Sequence, residues 1–209
     1  MTVPKLSYRA LKTVLRGKWM RNDDVIEICG KYYRLIEMLG RGKGGYSWLA
    51  DCNGSRAVVK QIHHEPCHVY SFGNKIEAER YAYERLKGID IRIPEMLAID
   101  IEAERLVKEY IEGPTIFEMV CDGLSAEPWF RQVREMAEKA KAAGINLDYF
   151  SPNFVVQTHT GLLYYIDYEC NEYTDEWNFE NWGIKYWSQT PDFLKHLDYL
   201  RKRHERQNK

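Results

Sequence analysis

The chain has 209 residues, 44% of them hydrophobic, and a formal net charge of −1 at pH 7. That is enough apolar material for one sizeable core or two small lobes, and the balanced charge excludes a global bias toward nucleic acid. Neither end carries the apolar stretch of a signal peptide or a membrane span, and the five scattered cysteines suit free thiols, so a cytoplasmic protein with no membrane partner is expected.

Charge is uneven along the chain. Residues 1–22 hold Lys5, Arg9, Lys12, Arg16, Lys18 and Arg21 with no acidic residue, and Arg201–Lys209 is again basic. Leu6–Trp19 is predicted as a short helix with Leu11, Val14 and Leu15 on its apolar side. The basic ends read as solvated faces or as docking surfaces for an acidic partner or RNA.

Strands are predicted over Tyr32–Leu39, Tyr46–Cys52 and Arg56–Ile62. Between the first two lies Gly40-Arg41-Gly42-Lys43-Gly44-Gly45, with Gly40, Gly42 and Gly45 at G-x-G-x-x-G spacing. A dinucleotide fold needs a helix to open at such glycines. Here a β-prone run follows, then Asn53-Gly54, the pair that favours a tight hairpin turn because both residues tolerate positive φ. A Walker loop is excluded too, since Tyr46-Ser47 stands where Lys-Ser or Lys-Thr is required. Lys60 lies fifteen residues after Gly45, near the end of the third strand. The following His63-His64-Glu65-Pro66-Cys67-His68 matches no common zinc spacing and reads as a loop.

Asn74 caps a predicted helix ending at Gly88, with Glu79, Ala82, Tyr83 and Leu86 on one face. Pro94–Ile101 and Arg105–Tyr110 read as strands, and Thr115–Cys121 as a short helix. Ser125 and Pro128 open a long helix stopped by Gly144, with Phe130, Val133, Ala137 and Ala140 as its stripe. Phe154–Gln157 and Leu162–Ile166 flank Thr158–Gly161 as a second hairpin. Thr190-Pro191 starts a last helix that buries Phe193, Leu197 and Leu200. Trp177, Trp182 and Trp187 read as core packing.

The order of these landmarks resembles the protein-kinase-like superfamily. A glycine-rich turn, a strand ending in Lys60 and a helix carrying Glu79 match its first lobe, with Glu77 as the competing partner for Lys60. Leu106–Gly113 resembles the hinge, where adenine would bond backbone groups near Glu109 and Ile111. Asp148 and Asn153 are five apart, as in the catalytic loop, and Asp167 follows fourteen residues later at a strand end. The resemblance implies an α+β, two-lobed kinase-like fold, with an antiparallel-sheet N-lobe and a small, truncated, mainly helical C-lobe. Residues 1–31 would be a basic extension, 32–112 the N-lobe with hinge, and 113–209 the C-lobe.

It also implies ATP and Mg²⁺ as cofactors. Gly40, Gly42, Gly44 and Gly45 would let backbone approach the phosphates. Lys60, held by Glu79, would meet them as a cation. Asn153 and Asp167 would offer the metal hard oxygen ligands. Asp148 would serve as the base for the acceptor hydroxyl. Several positions depart from the pattern. Asn146 and Leu147 replace the histidine and arginine of the catalytic loop, and Phe150 stands where a lysine or histidine is usual. Asp167-Tyr168-Glu169 replaces D-F-G and is similar to choline and aminoglycoside kinases, making Glu169 a further metal-site neighbour. Lys108 occupies the usual apolar gatekeeper position and is expected to point to solvent. Only forty residues follow Glu169, with no A-P-E motif. The size resembles the small atypical Ser/Thr protein kinases. A small-molecule kinase and a nucleotide-binding pseudokinase acting through a partner protein are the alternatives.

Overall fold

A computed structural model of the chain describes residues 20–42, 44–65 and 73–207, with side chains as far as 202. The expected helix Leu6–Trp19, Lys43 and the Pro66–His68 part of the histidine-rich loop lie outside these residues. The described residues divide into two compact units: those within 20–81 and 94–110, and those within 82–93 and 111–207.

The first unit is built on a six-stranded antiparallel sheet. Its strands are β1 (Val25–Ile28), β2 (Lys31–Arg41), β3 (Gly45–Cys52), β4 (Ser55–Ile62), β5 (Met96–Asp100) and β6 (Arg105–Glu109), in the order β1-β2-β3-β4-β6-β5. Alternation decides the faces. Trp48 pairs with Val59 and Ala50 with Ala57. These side chains join Tyr33, Leu35 and Val107 in one buried cluster, as a two-residue period requires. The β3–β4 turn is Asn53-Gly54, with φ of 54° and 85°, the left-handed pair that a two-residue hairpin needs. Two register shifts in β2, at Leu35/Glu37 and Met38/Gly40, bend it on its way into the glycine turn.

β1 falls inside the stretch expected to be an N-terminal extension. It is only four residues long, and it turns back into β2 through Cys29 and Gly30, both at positive φ. Lys108 also departs from expectation: it is buried, at 6% exposure. β6 is an interior strand with both edges paired, to β4 and β5, and Leu106, Val107 and Lys108 are all buried, so side chains on both of its faces are covered.

Helix α1 (Lys75–Gly88) leaves the sheet unit, with Asn74 Oδ1 accepting the Glu77 N–H at 3.3 Å as its N-cap. In the second unit, α2 (Ile116–Cys121) opens on Thr115 with a full capping box to Glu118. A 3₁₀ turn at Glu127–Trp129 leads into α3 (Phe130–Ala142). Its buried residues are Val133, Met136 and Ala140. Phe130 and Ala137 pack partly buried against the same core, and Met136 adds to the expected stripe.

β7 (Ile145–Leu147) pairs with β10 (Cys170–Glu172), and β8 (Phe154–Val156) with β9 (Leu163–Tyr165). α4 (Pro191–Gln207) starts at Thr190, whose hydroxyl accepts the Phe193 N–H at 3.2 Å. Phe193 and Leu197 enter the core with Phe117, Phe154, Tyr165 and Trp187. Trp187 is fully buried and donates to the Tyr149 carbonyl at 2.9 Å, whereas Trp177 is half exposed. Among the described residues no helix is long and apolar enough to cross a membrane.

Candidate active site

In the sheet unit, Lys60 lies on β4 two residues before its end and is buried, at 9% exposure. Its ammonium bonds the Glu79 carboxylate on α1. Glu77 instead pairs with its helix neighbour Arg80 at 2.7 Å. The second oxygen of Glu79 is buried and takes no hydrogen bond. An ion pair this far out of water is held by geometry as much as by attraction, since desolvation offsets much of the Coulomb gain.

The glycine turn divides into two kinds of glycine. A Cβ on Gly45 would lie 2.5 Å from the Gln61 carbonyl oxygen, so the sheet itself demands glycine there. A Cβ on Gly40 or Gly44 would meet nothing within 4 Å, and one on Gly42 only the Gly45 carbonyl at 3.9 Å. The protein's own packing does not require those three. The residues after β4 brace the turn. His63 N–H donates to the Gly44 carbonyl at 3.2 Å, its ring lies 3.1 Å from the Gly42 carbonyl, and Glu65 bonds both Arg41 and the Tyr46 hydroxyl. His63 and Glu65 are therefore engaged in holding a loop.

Where the sequence suggests a hinge, the Glu109 N–H donates to the Glu95 carbonyl at 2.8 Å. Ile111 is buried and begins the stretch assigned to the second unit.

In the second unit the chain returns three times to one place. Asp148 follows β7, Asn153 ends the 3₁₀ turn Ser151–Asn153 that leads into β8, and Asp167 follows β9. Main-chain and side-chain bonds knit these segments together. Asn153 Nδ2 donates to the Asp148 carbonyl at 3.2 Å, the Ile166 N–H to the Asn153 carbonyl at 2.8 Å, and the Phe150 N–H to Asp148 Oδ1 at 3.1 Å. Asp167 Oδ1 accepts the Tyr168 N–H at 2.9 Å. The β7–β10 ladder, Cys170 opposite Leu147, brings the chain after Glu169 back beside the strand before Asp148.

Electrostatics follow from this convergence. Burial, then the charges of Glu169 and Asp167, push the Asp148 carboxyl from 3.8 up to about 6, against the opposing Phe150 N–H bond. A carboxyl so placed is a base with more proton affinity than a surface aspartate. Asn146, in the position of the missing histidine, is buried and donates to the Thr174 carbonyl at 2.8 Å, a structural use. Phe150 packs edge-on to Tyr186 and His196, at centroid distances of 5.0 and 4.9 Å.

The donor set suits Mg²⁺. Asn153 commits its amide nitrogen to Asp148, so its amide oxygen would be the atom to meet a metal, and Asp167 would add a carboxylate. Mg²⁺ takes one or two such protein ligands and fills its shell with phosphate oxygens and water. Among the described residues no group of three or more His, Cys, Asp or Glu is arranged to hold a metal by itself. Sequence reasoning missed Tyr165, whose buried hydroxyl lies between Asp148 and Glu169. The strand Leu163-Tyr164-Tyr165 carries two tyrosines, and nothing local in the sequence singles out the second.

No family model matches this sequence, and no curated protein matches it either. Among solved structures, the crystal structure of the BubR1 kinase domain matches with a TM-score of 0.56 at 13% identity, over 77% of this chain and 55% of that one. At that identity the likeness is one of fold. The chain has a protein-kinase-like fold, α+β, with an antiparallel-sheet unit and a small, mainly helical one, and spans about half the length of the domain it matches.

Proposed function

We propose that this chain is an ATP- and Mg²⁺-dependent phosphotransferase that moves a γ-phosphate to a hydroxyl, and that it acts as a small Ser/Thr protein kinase of the atypical bacterial type. The observation that carries this reading is the buried pair of Lys60 on β4 and Glu79 on α1, with β4 paired to the strand β3 that follows a turn whose Gly40, Gly42 and Gly44 are free of packing demands. A fixed cation and side-chain-free backbone are what polyphosphate binding needs. When bound, Mg²⁺-ATP supplies the electrophilic phosphoryl group and charge neutralisation. Lys60 orients the phosphates, Asn153 and Asp167 hold the metal, and Asp148 accepts the proton of the acceptor hydroxyl. The acceptor is a Ser or Thr of this chain or of a folded partner, with the basic segment Lys5–Arg21 steering an acidic surface toward it.

A second reading, a small-molecule kinase, is favoured by one feature: the Ile166-Asp167-Tyr168-Glu169 signature and the charge that Glu169 adds beside Asp148. Nucleotide binding tests both. Ligand at 100 times Kd that binds only the folded chain adds about 2.7 kcal/mol, which for this size raises the melting temperature by roughly 5–11 °C. Absence of binding by ATP, ADP and GTP with Mg²⁺ in calorimetry overturns both readings. An equal gain with and without Mg²⁺ overturns Asn153 and Asp167 as metal ligands.

A further inference from the structure

Tyr165 is fully buried on β9, ring to ring with Phe154 at 5.1 Å. Its neighbours in that core include Phe117, Phe154, Phe179 and Phe193. Phenylalanine would fill the same space, so packing explains the ring and leaves the hydroxyl unexplained. Burying a hydroxyl costs about 1–3 kcal/mol unless it is bonded. Here it is bonded on both sides. The phenol oxygen accepts the Asp148 N–H at 3.2 Å, and the phenol donates to the Glu169 carbonyl at 2.6 Å.

Both partners are main-chain groups of the residues that matter. One belongs to Asp148 itself. The other belongs to Glu169, two residues after Asp167. The two segments are otherwise joined on one side by the Ile166 N–H to Asn153 carbonyl bond and on the other by the β7–β10 ladder. The hydroxyl lies between these attachments as a side-chain crosslink.

We propose that Tyr165 is a positioning residue for phosphoryl transfer, its hydroxyl setting the spacing between Asp148 and the Asp167–Glu169 segment. This rests on the kinase reading above. A tyrosine acts here at one remove: it touches no reacting atom, and it fixes the main chain from which the base projects. It also supplies an attachment for a catalytic loop in which Asn146 is turned to Thr174 and Leu147 offers no polar group.

The test is Tyr165→Phe in the full chain, which keeps the ring and the core volume. Three quantities are read: the hydrogen-exchange rate of the Asp148 amide, kcat against KM for ATP, and thermal stability. Val133→Ala, a cavity in α3 of the same core, is the control for stability loss alone. The Asp148 amide is expected to lose protection. The expected fall in kcat is on the order of 10²-fold, the effect of roughly 1 Å of misplacement at a reacting group, while KM for ATP stays within about twofold, since Lys60 and the glycine turn are untouched. Val133→Ala is expected to keep kcat. Unchanged Asp148 exchange, unchanged kcat in Tyr165→Phe, or an equal kcat loss in Val133→Ala overturns the proposal while the kinase reading stands. A wild-type chain that binds Mg²⁺-ATP and transfers phosphate to nothing removes the kinase reading, and the positioning role with it.

Discussion

Alanine at each glycine of the turn separates what the sheet requires from what a ligand requires. At Gly45 the added methyl would sit 2.5 Å from the Gln61 carbonyl oxygen and 3.2 Å from its carbon, both main chain across the β3–β4 ladder. Relief requires the two strands to move apart two rungs from where Lys60 faces Ser47. Overpacking of this kind costs about 1–3 kcal/mol, so Gly45→Ala should melt roughly 2–12 °C lower. At Gly40 and Gly44 the methyl enters open space, and neither residue has positive φ. Those variants should fold within about 0.5 kcal/mol of wild type, or gain slightly from a less flexible unfolded chain. Their ATP affinity should nonetheless fall about tenfold or more, a loss of ~1.4 kcal/mol. Thermal unfolding and calorimetry on the same preparations read both quantities. Wild-type ATP binding by well-folded Gly40→Ala and Gly44→Ala would refute the phosphate role of the turn, and a Gly45→Ala chain as stable as wild type would refute the packing argument.

Glu79→Ala leaves the Lys60 ammonium buried without its carboxylate; the cost should approach but not reach the 3–5 kcal/mol typical of broken buried pairs (~15% of the Glu79 side chain stays wet). Glu77→Ala, which loses an exposed pair, should change stability by less than about 1 kcal/mol in the same denaturant titration. Because Asp148 holds its proton more tightly when folded, its contribution to stability is full below about pH 4 and is lost as pH rises through about 6. Asp148→Asn should therefore raise the melting temperature at pH 8, by up to about 3 kcal/mol of stability, while turnover drops about 10²- to 10⁴-fold; wild-type turnover should fall on its acid side near pH 6 rather than near pH 4. Asp167→Ala should abolish the Mg²⁺-dependent part of ATP binding, which calorimetry with and without the ion measures directly.

Much of the scaffold was legible because its signals are local. Asn53-Gly54 announced a hairpin by its tolerance of positive φ, and Asn74, Thr115 and Thr190 marked helix starts by side chains that cap free N–H groups. The candidate site residues were legible as spacings: Lys60 from the turn, and Asp148 from Asn153 and Asp167. Non-local pairing was not legible. β7 and β10 are three residues each and exist only because they find one another across more than twenty residues, so neither shows a period of its own. Lys108 looked like a surface residue because its charge is visible in sequence and its interior strand is not. Tyr165 illustrates the same limit. A tyrosine among phenylalanines reads as core until both partners of its hydroxyl are known.

Transfer of labelled phosphate from γ-labelled ATP with Mg²⁺ tests the central claim most directly, with the purified chain alone, with cell extract and with small alcohols, and with Asp148→Asn as the blank. Mg²⁺-dependent label on Ser or Thr of this chain or of a discrete partner protein, absent with Asp148→Asn, is the predicted result. Label that reaches no acceptor from a chain that binds Mg²⁺-ATP, or equal label from the Asp148→Asn chain, contradicts it.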